Sequence, residues 1–458
     1  MSRYDVVIYG ASGFTGACVV EHLVKSELFE GFSFAVAGSD EEKLHELLKN
    51  VSQKTEKDVS NASVIVARLD DATSLNAMAR QAKVIVNTEG PYRLYGEAVV
   101  KAAVENGASH VDISGEPAWI EEMQMKYGEK AKEEGVYVVS ACGWDSIPAD
   151  LGVNFLKKNF NGDLNHVESI IEFHTGPSGY AVNFGTYQTL VRGLVRTIKE
   201  DVAGVRKEIM PEPIQKGVEQ LPKRSIVSRI DEKELGGFAV VFPGADRSVV
   251  DRSQYYDATV RNVRPIHMQT YIRLSTRFYA YLTSLSMIVI TSELFAYLVA
   301  MWAVLMSTKF YGYLIGAWIM TLSFVIQNPI TGFVFKQCPY QCRYNWTDIR
   351  RPTAQQMAEA SFVYWFFGYG YKETLPVYQQ HEGKPNRKVV ATCKGPESDH
   401  IATSGCVLSA ALSLLKNRDH MPQTGGVYTS AAAFGETQIY DYLASFGITY
   451  QLESEYDL

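Results

Sequence analysis

A glycine-rich loop near the N-terminus is the first group of residues whose spacing points to chemistry. It spans residues 10–16, after the apolar run 4–9 and before an apolar-periodic stretch that reaches about residue 24. Such glycines allow a tight turn that brings backbone N–H groups against a pyrophosphate, and the next helix N-terminus favours its negative charge. A turn without a ligand is the alternative, but the position between strand and helix favours a dinucleotide. The candidate cofactor residues here are Gly10, Ser12, Gly13, Phe14, Thr15 and Gly16.

Two polar turns after the next two predicted strands are candidates for binding the adenosine. Asp40 could accept hydrogen bonds from both ribose hydroxyls, as in NAD enzymes, whereas Ser39 and Lys43 could hold the 2′-phosphate of NADP. The first turn also fits a capping box formed by Ser39 and Glu42. In the second turn, Asp70 could accept from the adenine amino group or cap a helix. The cofactor is therefore NADP or NAD, and the choice between them stays open.

A turn after the fourth predicted strand supplies the first candidate for proton transfer. Gly90 and Pro91 would place backbone beside the nicotinamide ribose, and Tyr92 would point into the cleft between two domains. A phenol is a chemically suitable proton donor. We therefore predict Gly90 and Pro91 as cofactor contacts and Tyr92 as the first candidate for the catalytic acid.

The run CGWDSIPAD at 142–150 follows the sixth predicted strand and supplies two more candidates. Its second half fits a helix start, with Ser146 as the cap and Pro148 in the first turn. That does not explain 143–145, which we interpret as facing the cleft. Asp145 suits an orienting role and Cys142 is the third candidate for the acid. A structural role is the alternative for all three candidates.

These candidates share the carboxyl ends of the strands of one predicted sheet. Six short apolar strands alternate with helices over the first 155 residues, which predicts an α/β domain with a doubly wound parallel sheet of the Rossmann type. Ligands bind such sheets at the carboxyl ends of the strands. We expect strands at 4–9, 32–37, 63–66, 84–86, 110–113 and 137–140. One helix is expected to end near residue 24, and further helices are expected at 40–48, 73–81, 96–105 and 118–134.

The composition limits what else the chain can do. Of its 458 residues, 46% are hydrophobic and 21% are charged, which excludes a disordered chain. A net charge of −7 gives no basic field that would attract nucleic acid. Six cysteines are too few for a disulfide scaffold, and Cys338 and Cys342 lack a second ligand pair, so we expect no metal. The start MSRYDVVIY indicates a first strand, not a signal peptide, and so a cytosolic catalytic part.

Longer motifs at the same strand ends resemble those of the saccharopine dehydrogenase-like oxidoreductase family. They are YGASGFTG at 9–16, VNTEGPYRLYGEAVVKAAVENGASHVDISGE at 86–116 and ACGWDSIPADLG at 141–152. Three later runs are also similar to that family: NFGTYQ at 183–188, KGPESDHIATSG at 394–405 and GGVYTSAAAFG at 425–435. The resemblance thus extends over nearly the whole chain.

The resemblance implies an NAD(P)-binding Rossmann domain and a second α/β domain that carries the substrate. The family includes saccharopine reductases of the lysine pathway and trans-acting enoyl reductases of lipid and glycolipid synthesis. Its animal-type members associate with lipid droplets or membranes. Family members usually carry arginine where this chain has Ser39, and we find no set of cationic residues for an amino-dicarboxylate. The lysine-pathway activity therefore does not follow from the resemblance.

The second domain is expected in two parts, 156–277 and 337–458, around an inserted hydrophobic helical hairpin at 278–336. Predicted strands of this domain lie at 166–174, 238–242, 258–263, 271–274 and 387–394, with helices at 401–416 and 440–446, the last closing the chain.

The predicted hairpin is the most apolar part of the chain. Residues 282–306 contain one charge, Glu293, and residues 310–335 contain none, so each half is long enough to span a bilayer. Aromatic residues near the ends and positive charge on both flanks fit a hairpin with cytosolic ends. Glu293 disfavours a simple span and favours a shallow position in a monolayer, as on a lipid droplet. A homodimer interface or buried core helices are the alternatives.

The predicted cofactor site and the predicted cleft together lead to two hypotheses about the function. The first hypothesis is an enzyme that transfers hydride from NAD(P) to a C=C, C=N or C=O bond of a small-molecule or lipid-like substrate. It would work at a lipid droplet or at the cytosolic face of a membrane. The second is a catalytically silent NAD(P)-binding protein that organises such a surface, because fold does not imply activity.

Overall fold

The computed structural model describes residues 3–179, 202–218, 224–231, 235–242, 244–277, 280–281, 284 and 352–458. The motif at 183–188 and nearly all of the predicted hairpin at 278–336 lie outside the described residues. Within the described residues, no helix is both long enough and apolar enough to cross a membrane.

The first sheet contains seven parallel strands in the order β13-β6-β5-β4-β1-β2-β3. Its strands are β1 (Tyr4–Tyr9), β2 (Phe34–Gly38), β3 (Ser63–Val66), β4 (Ala82–Asn87), β5 (Ser109–Asp112), β6 (Tyr137–Val139) and β13 (Gly426–Tyr428). Val6 and Ile8 pack in one apolar cluster and Val7 and Tyr9 in another. Both faces are therefore covered, as a parallel sheet requires. The predicted doubly wound sheet is confirmed.

The helices that connect these strands lie close to the predicted positions. They are α1 (Phe14–Lys25), α2 (Glu41–Thr55), α3 (Ala72–Arg80), α4 (Tyr92–Glu105), α5 (Pro117–Glu133) and α6 (Ile147–Asn159). One difference matters for the site: α4 begins at Tyr92, whereas we predicted a helix over 96–105.

The second sheet is mixed, with the strand order β14-β12-β11-β7-β10-β9-β8. Its strands are β7 (Asp163–His174), β8 (Val227–Arg229), β9 (Phe238–Val241), β10 (His267–Leu274), β11 (Ser361–Tyr371), β12 (Arg387–Pro396) and β14 (Thr449–Asp457). Strand β11 pairs with both β7 and β12, so the chain beyond the predicted hairpin returns to the second sheet, as expected.

The remaining α-helices of the described residues are α7 (Val202–Ile209), α8 (Asp246–Thr259), α9 (Ala354–Glu359), α10 (Thr403–Lys416), α11 (Ser430–Phe434) and α12 (Ile439–Ser445). The predicted strand at 258–263 is wrong, because this stretch is the end of α8 and the turn after it. Over so few residues, the β-branched Thr259, Val260 and Val263 give the same pattern as a strand. The prediction that 440–446 closes the chain is also wrong, because β14 follows and pairs with β12.

The C-terminal part contributes to both sheets. Strand β13 extends the first sheet beside β6, and β14 forms an edge of the second. Helix α10 of the same C-terminal part packs against α1, β4 and β5. The two sheets therefore share one core, and the carboxyl ends of the first sheet face the second domain.

Candidate functional site

The glycine loop has the geometry that close approach of a phosphate requires. Gly10 has φ of +77°, which favours glycine, and a Cβ on Gly16 would lie 2.2 Å from the Gly10 carbonyl oxygen. Helix α1 starts after Gly13 without a side-chain cap, so its first N–H groups point to the loop mouth. Ser12 is exposed there and Thr15 is half-buried in the first turn. These residues fit a pyrophosphate.

Phe14 connects the loop to the C-terminal part of the chain. Its ring packs edge-on against His400 with centroids 4.6 Å apart. The His400 Nδ1 is 3.1 Å from a Glu397 carboxylate oxygen, and both residues are fully buried. Glu397 also accepts from the backbone N–H groups of residues 399–401. The run KGPESDH thus supports the cofactor loop from a distant part of the sequence.

A cavity of about 200 Å³ lies where the adenosine is expected. Ser39 lines it from the end of β2, and Arg68 and Asp70 line it from the end of β3. The Arg68 Nε is 3.4 Å from an Asp70 carboxylate oxygen, and both side chains are exposed. Glu89 closes the side towards Gly10, and burial raises the pKa of its carboxyl. The run 68–71 was expected beside the adenine, but sequence reasoning assigned no role to Arg68 itself.

The capping predictions beside this cavity need correction. The N-cap of α2 is Asp40, which accepts from the Lys43 N–H at 3.2 Å, so the Ser39 capping box is wrong. The Lys43 Nζ is 3.0 Å from the same carboxylate. Asp71 caps α3, which leaves Asp70 directed to the cavity. Of the three predicted cofactor contacts in these turns, Ser39 and Asp70 line the cavity, whereas the Asp40 carboxylate caps its own helix.

Tyr92 does not point into a cleft, and that prediction is wrong. The Gly90–Pro91 peptide is cis, and α4 begins directly after it. The Tyr92 side chain is only 4% exposed; its hydroxyl donates to the Asn87 carbonyl at 2.8 Å and accepts from the Ile113 N–H at 3.2 Å. Burial raises the pKa of this phenol well above its usual value. The Tyr92 side chain therefore lies in the interior, where its hydroxyl links the ends of β4 and β5.

Cys142 also lies away from any cleft. Its side chain is fully buried, and its thiol donates to the Val139 carbonyl at 3.3 Å. Burial raises the pKa of the thiol well above its usual value. A packed neutral thiol is a poor proton donor, so the geometry does not support Cys142 as the acid.

Trp144 stands at the junction of the two domains. Its backbone N–H donates to the Thr403 hydroxyl at 3.2 Å. Its indole is 7% exposed, and its Nε1 has no hydrogen-bond partner among the described residues. Ring centroids of four aromatic residues of the second domain lie 5.2–6.4 Å from it: Phe173, Phe242, Phe362 and Tyr364. This cluster is an apolar wall facing the carboxyl ends of the first sheet.

Asp145 extends from the same turn into this junction. Its carboxylate accepts from the Ala245 N–H at 3.2 Å, at the start of α8. Burial raises the pKa of the carboxyl to about 6, and Asp399 adds to that rise. A Cβ on Gly244 would lie 2.3 Å from the Phe242 ring and 2.4 Å from the Asp145 Oδ1, so glycine leaves room for both side chains. Asp145 alone of the three candidate acids combines a titratable proton near neutral pH with a half-buried position.

Two further carboxylates support these turns and were missed by sequence reasoning. Glu116 accepts from the backbone N–H groups of Tyr92 and Arg93, so it caps α4 in place of a side chain from the turn itself. Asp246 is fully buried beside Asp145 and accepts from the Tyr364 hydroxyl at 3.2 Å. No group of metal-binding side chains occurs among the described residues.

Comparisons with known proteins agree with this geometry. Residues 6–139 match the family model described as the saccharopine dehydrogenase NADP binding domain. A human protein named saccharopine dehydrogenase-like oxidoreductase is 33% identical, over 98% of this chain and 97% of its own. The chain belongs to this family. Its first domain is accordingly an NAD(P)-binding domain of the saccharopine dehydrogenase type.

Two further similarities extend along the whole chain. A Caenorhabditis elegans protein named lipid droplet localized protein is 66% identical over 100% of both chains. The solved apo saccharopine dehydrogenase (L-Glu forming) of Saccharomyces cerevisiae aligns over 99% of both chains with a TM-score of 0.56 and 13% identity. At that identity the likeness concerns the fold alone.

Proposed function

We propose that this protein is an NADPH-dependent oxidoreductase that acts on a lipid-like substrate at the surface of a lipid droplet or membrane. When bound, the cofactor supplies hydride for a C=C, C=N or C=O bond. The observation that carries the proposal is the junction of Trp144 and Asp145 with the aromatic wall. It combines an aromatic cluster, of which Phe173 and Phe242 stay accessible to an acyl or similar chain, with the Asp145 carboxyl group.

Asp145 is the proposed catalytic acid. Its pKa of about 6 keeps a useful protonated fraction near neutral pH, which suits a donor. The hydrogen bond from Ala245 fixes one carboxylate oxygen and leaves the other to hold the proton. Burial of the carboxyl group limits its contact with water.

Arg68 supports the choice of NADPH. It shares the adenosine cavity with Ser39, so a guanidinium and a hydroxyl converge where a 2′-phosphate would lie. Guanidinium groups bind phosphate through paired hydrogen bonds. Arg68 would therefore supply, from the end of β3, the positive charge that Ser39 does not supply at the end of β2.

The lipid surface is supported by the name of the C. elegans relative and by the apolar segment 278–336. The silent alternative, a cofactor-binding protein that organises this surface, is favoured by the structural positions of Tyr92 and Cys142. The two hypotheses differ in one property, which is turnover of the cofactor.

The test is oxidation of NADPH by the purified protein in the presence of fractionated cellular lipids, with Asp145→Asn as the probe. We expect lipid-dependent turnover that falls as pH rises through about 6, because the acid must be protonated. Asp145→Asn should lower turnover at least about 100-fold, which is within the range of general acid catalysis. It should also remove the fall of turnover with rising pH. NADPH binding should stay intact.

Asp150→Asn is the matched control for Asp145→Asn. Burial raises the pKa of Asp150 also to about 6, but its carboxylate accepts from Ser430 and Ala431, away from the aromatic wall. The turnover of this variant should still fall as pH rises through about 6. Tight NADPH binding without turnover in any lipid fraction would contradict the enzyme hypothesis. It would favour the catalytically silent NAD(P)-binding protein.

A further inference from the structure

A second cavity, of about 460 Å³, lies at the edge of the second sheet, apart from the residues of the cofactor site. Phe238 on β9 is in register with Arg229 on β8 and with Leu274 on β10, and the chain continues from Leu274 along the cavity. The volume is in the range of small-molecule sites. The cavity is thus built by the ends of three strands and by the segment that follows β10.

The polar lining of this cavity is basic. Arg229 and Arg277 are both exposed side chains that line it, and Ser275 adds a hydroxyl. None of the described residues that line the cavity carries a carboxylate. Two guanidinium groups and a hydroxyl are the donor set that suits a phosphate.

Tyr281 fixes one of the two arginines. The Arg277 guanidinium carbon is 5.5 Å from the centre of the Tyr281 ring, and its Nη2 donates to the Tyr281 hydroxyl at 3.4 Å. A cation over an aromatic face keeps its charge while the contact restricts its motion. Arg273 does not join the pair, because it binds Glu172 at 2.6 Å and two loop carbonyls.

The position of the cavity along the chain identifies the source of the phosphate. Tyr281 lines the cavity, and the sequence then runs from 282 to 335 with only Glu293 and Lys309 charged. Arginine and tyrosine directly before such an apolar segment are typical of residues at the headgroup level of a lipid surface. A free metabolite would give no reason for this adjacency.

We propose that the cavity formed around Arg229, Arg277 and Tyr281 binds the phosphate of an anionic phospholipid headgroup. This rests on the lipid surface of the proposed function and adds to it a specific headgroup site. The two guanidinium groups bind the phosphate oxygens, Ser275 donates a further hydrogen bond, and Phe238 and Val227 contact the glycerol end. The lipid would thereby orient the second domain on the surface.

The experiment measures binding of the full-length protein to vesicles of phosphatidylcholine with and without phosphatidic acid, by co-flotation. We expect tighter binding to the anionic vesicles, and a loss of about tenfold or more of that affinity in the double variant Arg229→Gln/Arg277→Gln. The double variant Arg229→Lys/Arg277→Lys keeps both charges but not the paired donors, so it should lose less of the binding than the glutamine variant. Partition into pure phosphatidylcholine should be the same in all variants.

The matched control is Lys54→Gln/Lys132→Gln, which removes the same net charge from exposed sites on α2 and α5. It should change vesicle affinity less than twofold. An equal loss in the control, or no loss in the arginine variant, would overturn the proposal in favour of general surface charge. Binding of free glycerol 3-phosphate as tight as binding of the anionic vesicles would also overturn it, because the lipid surface would then add nothing to the site.

NADPH binding is measured on the same samples by energy transfer from tryptophan to the nicotinamide. Unchanged binding in the arginine variants shows that they are folded. If the wild-type chain binds anionic vesicles through the two arginines but does not bind NADPH, the headgroup site stands and the proposed enzymatic function fails. If it turns over NADPH with lipid but the arginines do not affect vesicle binding, the reverse holds.

Discussion

The phenol of Tyr92 joins the ends of β4 and β5 through two backbone hydrogen bonds. Tyr92→Phe removes both bonds and leaves the Asn87 carbonyl and the Ile113 N–H without this partner in a buried place. We therefore expect a loss of about 1–3 kcal/mol in the free energy of unfolding, measured by urea denaturation. Turnover per folded molecule should stay within about threefold. A hundredfold loss of turnover with unchanged stability would restore Tyr92 as the acid.

Under the proposed function, the Arg68 guanidinium sets the preference for NADPH over NADH. Arg68→Gln removes the guanidinium from the adenosine cavity and leaves Ser39 in place. We expect the Kd for NADPH to rise about 10- to 100-fold, which is about 1.4–2.8 kcal/mol, and the Kd for NADH to change little. Titration followed by tryptophan energy transfer measures both. Arg80→Gln is the control, because Arg80 binds Asn106 outside this cavity. Equal weakening of both cofactors would contradict the role.

The turn between β1 and α1 is the element that depends most on glycine. Gly16→Ala places a Cβ 2.2 Å from the Gly10 carbonyl oxygen, so α1 must move away from the loop. We expect NADPH affinity to fall at least about 100-fold, or about 2.8 kcal/mol, in equilibrium titration. Gly128→Ala in α5 is the matched control, since its Cβ meets no atom within 4 Å. It should leave binding unchanged and stabilise the helix by up to about 1 kcal/mol.

The elements of the first domain were predictable because each carries a local pattern. The apolar strands, the glycines and the alternation with helices specify a Rossmann sheet without reference to distant residues. The start of α4 was not predictable in the same way, because the cap that permits it, Glu116, comes from the next strand end. The misplacement of Tyr92 followed from that error, and the error concerns a contact over a long sequence separation.

Long-range contacts also explain what the sequence did not reveal elsewhere. Strand β14 has the sequence TYQLESEYD and is almost wholly exposed, so it lacks the apolar alternation of a strand. Its charges instead suit the edge of a sheet. The placement of Arg68 in one cavity with Ser39 likewise depends on the pairing of β2 with β3. The aromatic wall around Trp144 combines residues from three distant parts of the chain.

At the scale of the whole molecule, the cofactor domain is not independent of the chain's end. Helix α10 buries an unbroken run from Thr403 to Leu414 and packs on α1, β4 and β5. His400 contacts Phe14 of the glycine loop, and β13 adds a strand beside β6. The first 155 residues carry the cofactor motifs, but the fold that positions them also requires the last 60 or so.

This dependence predicts the effect of two truncations. A chain ending at Ala402 loses α10, β13 and the helices after it, including Val407, Leu408, Leu412 and Leu414 of the core. Burial of four such side chains contributes about 6–12 kcal/mol, comparable with the whole stability of a domain, so we expect no folded NADPH-binding protein. A chain ending at Ile448 loses β14, which is exposed apart from Tyr450, and should bind NADPH within about threefold of the full chain. Circular dichroism and NADPH titration measure both, and full NADPH binding by the shorter chain would mean that the Rossmann domain folds alone.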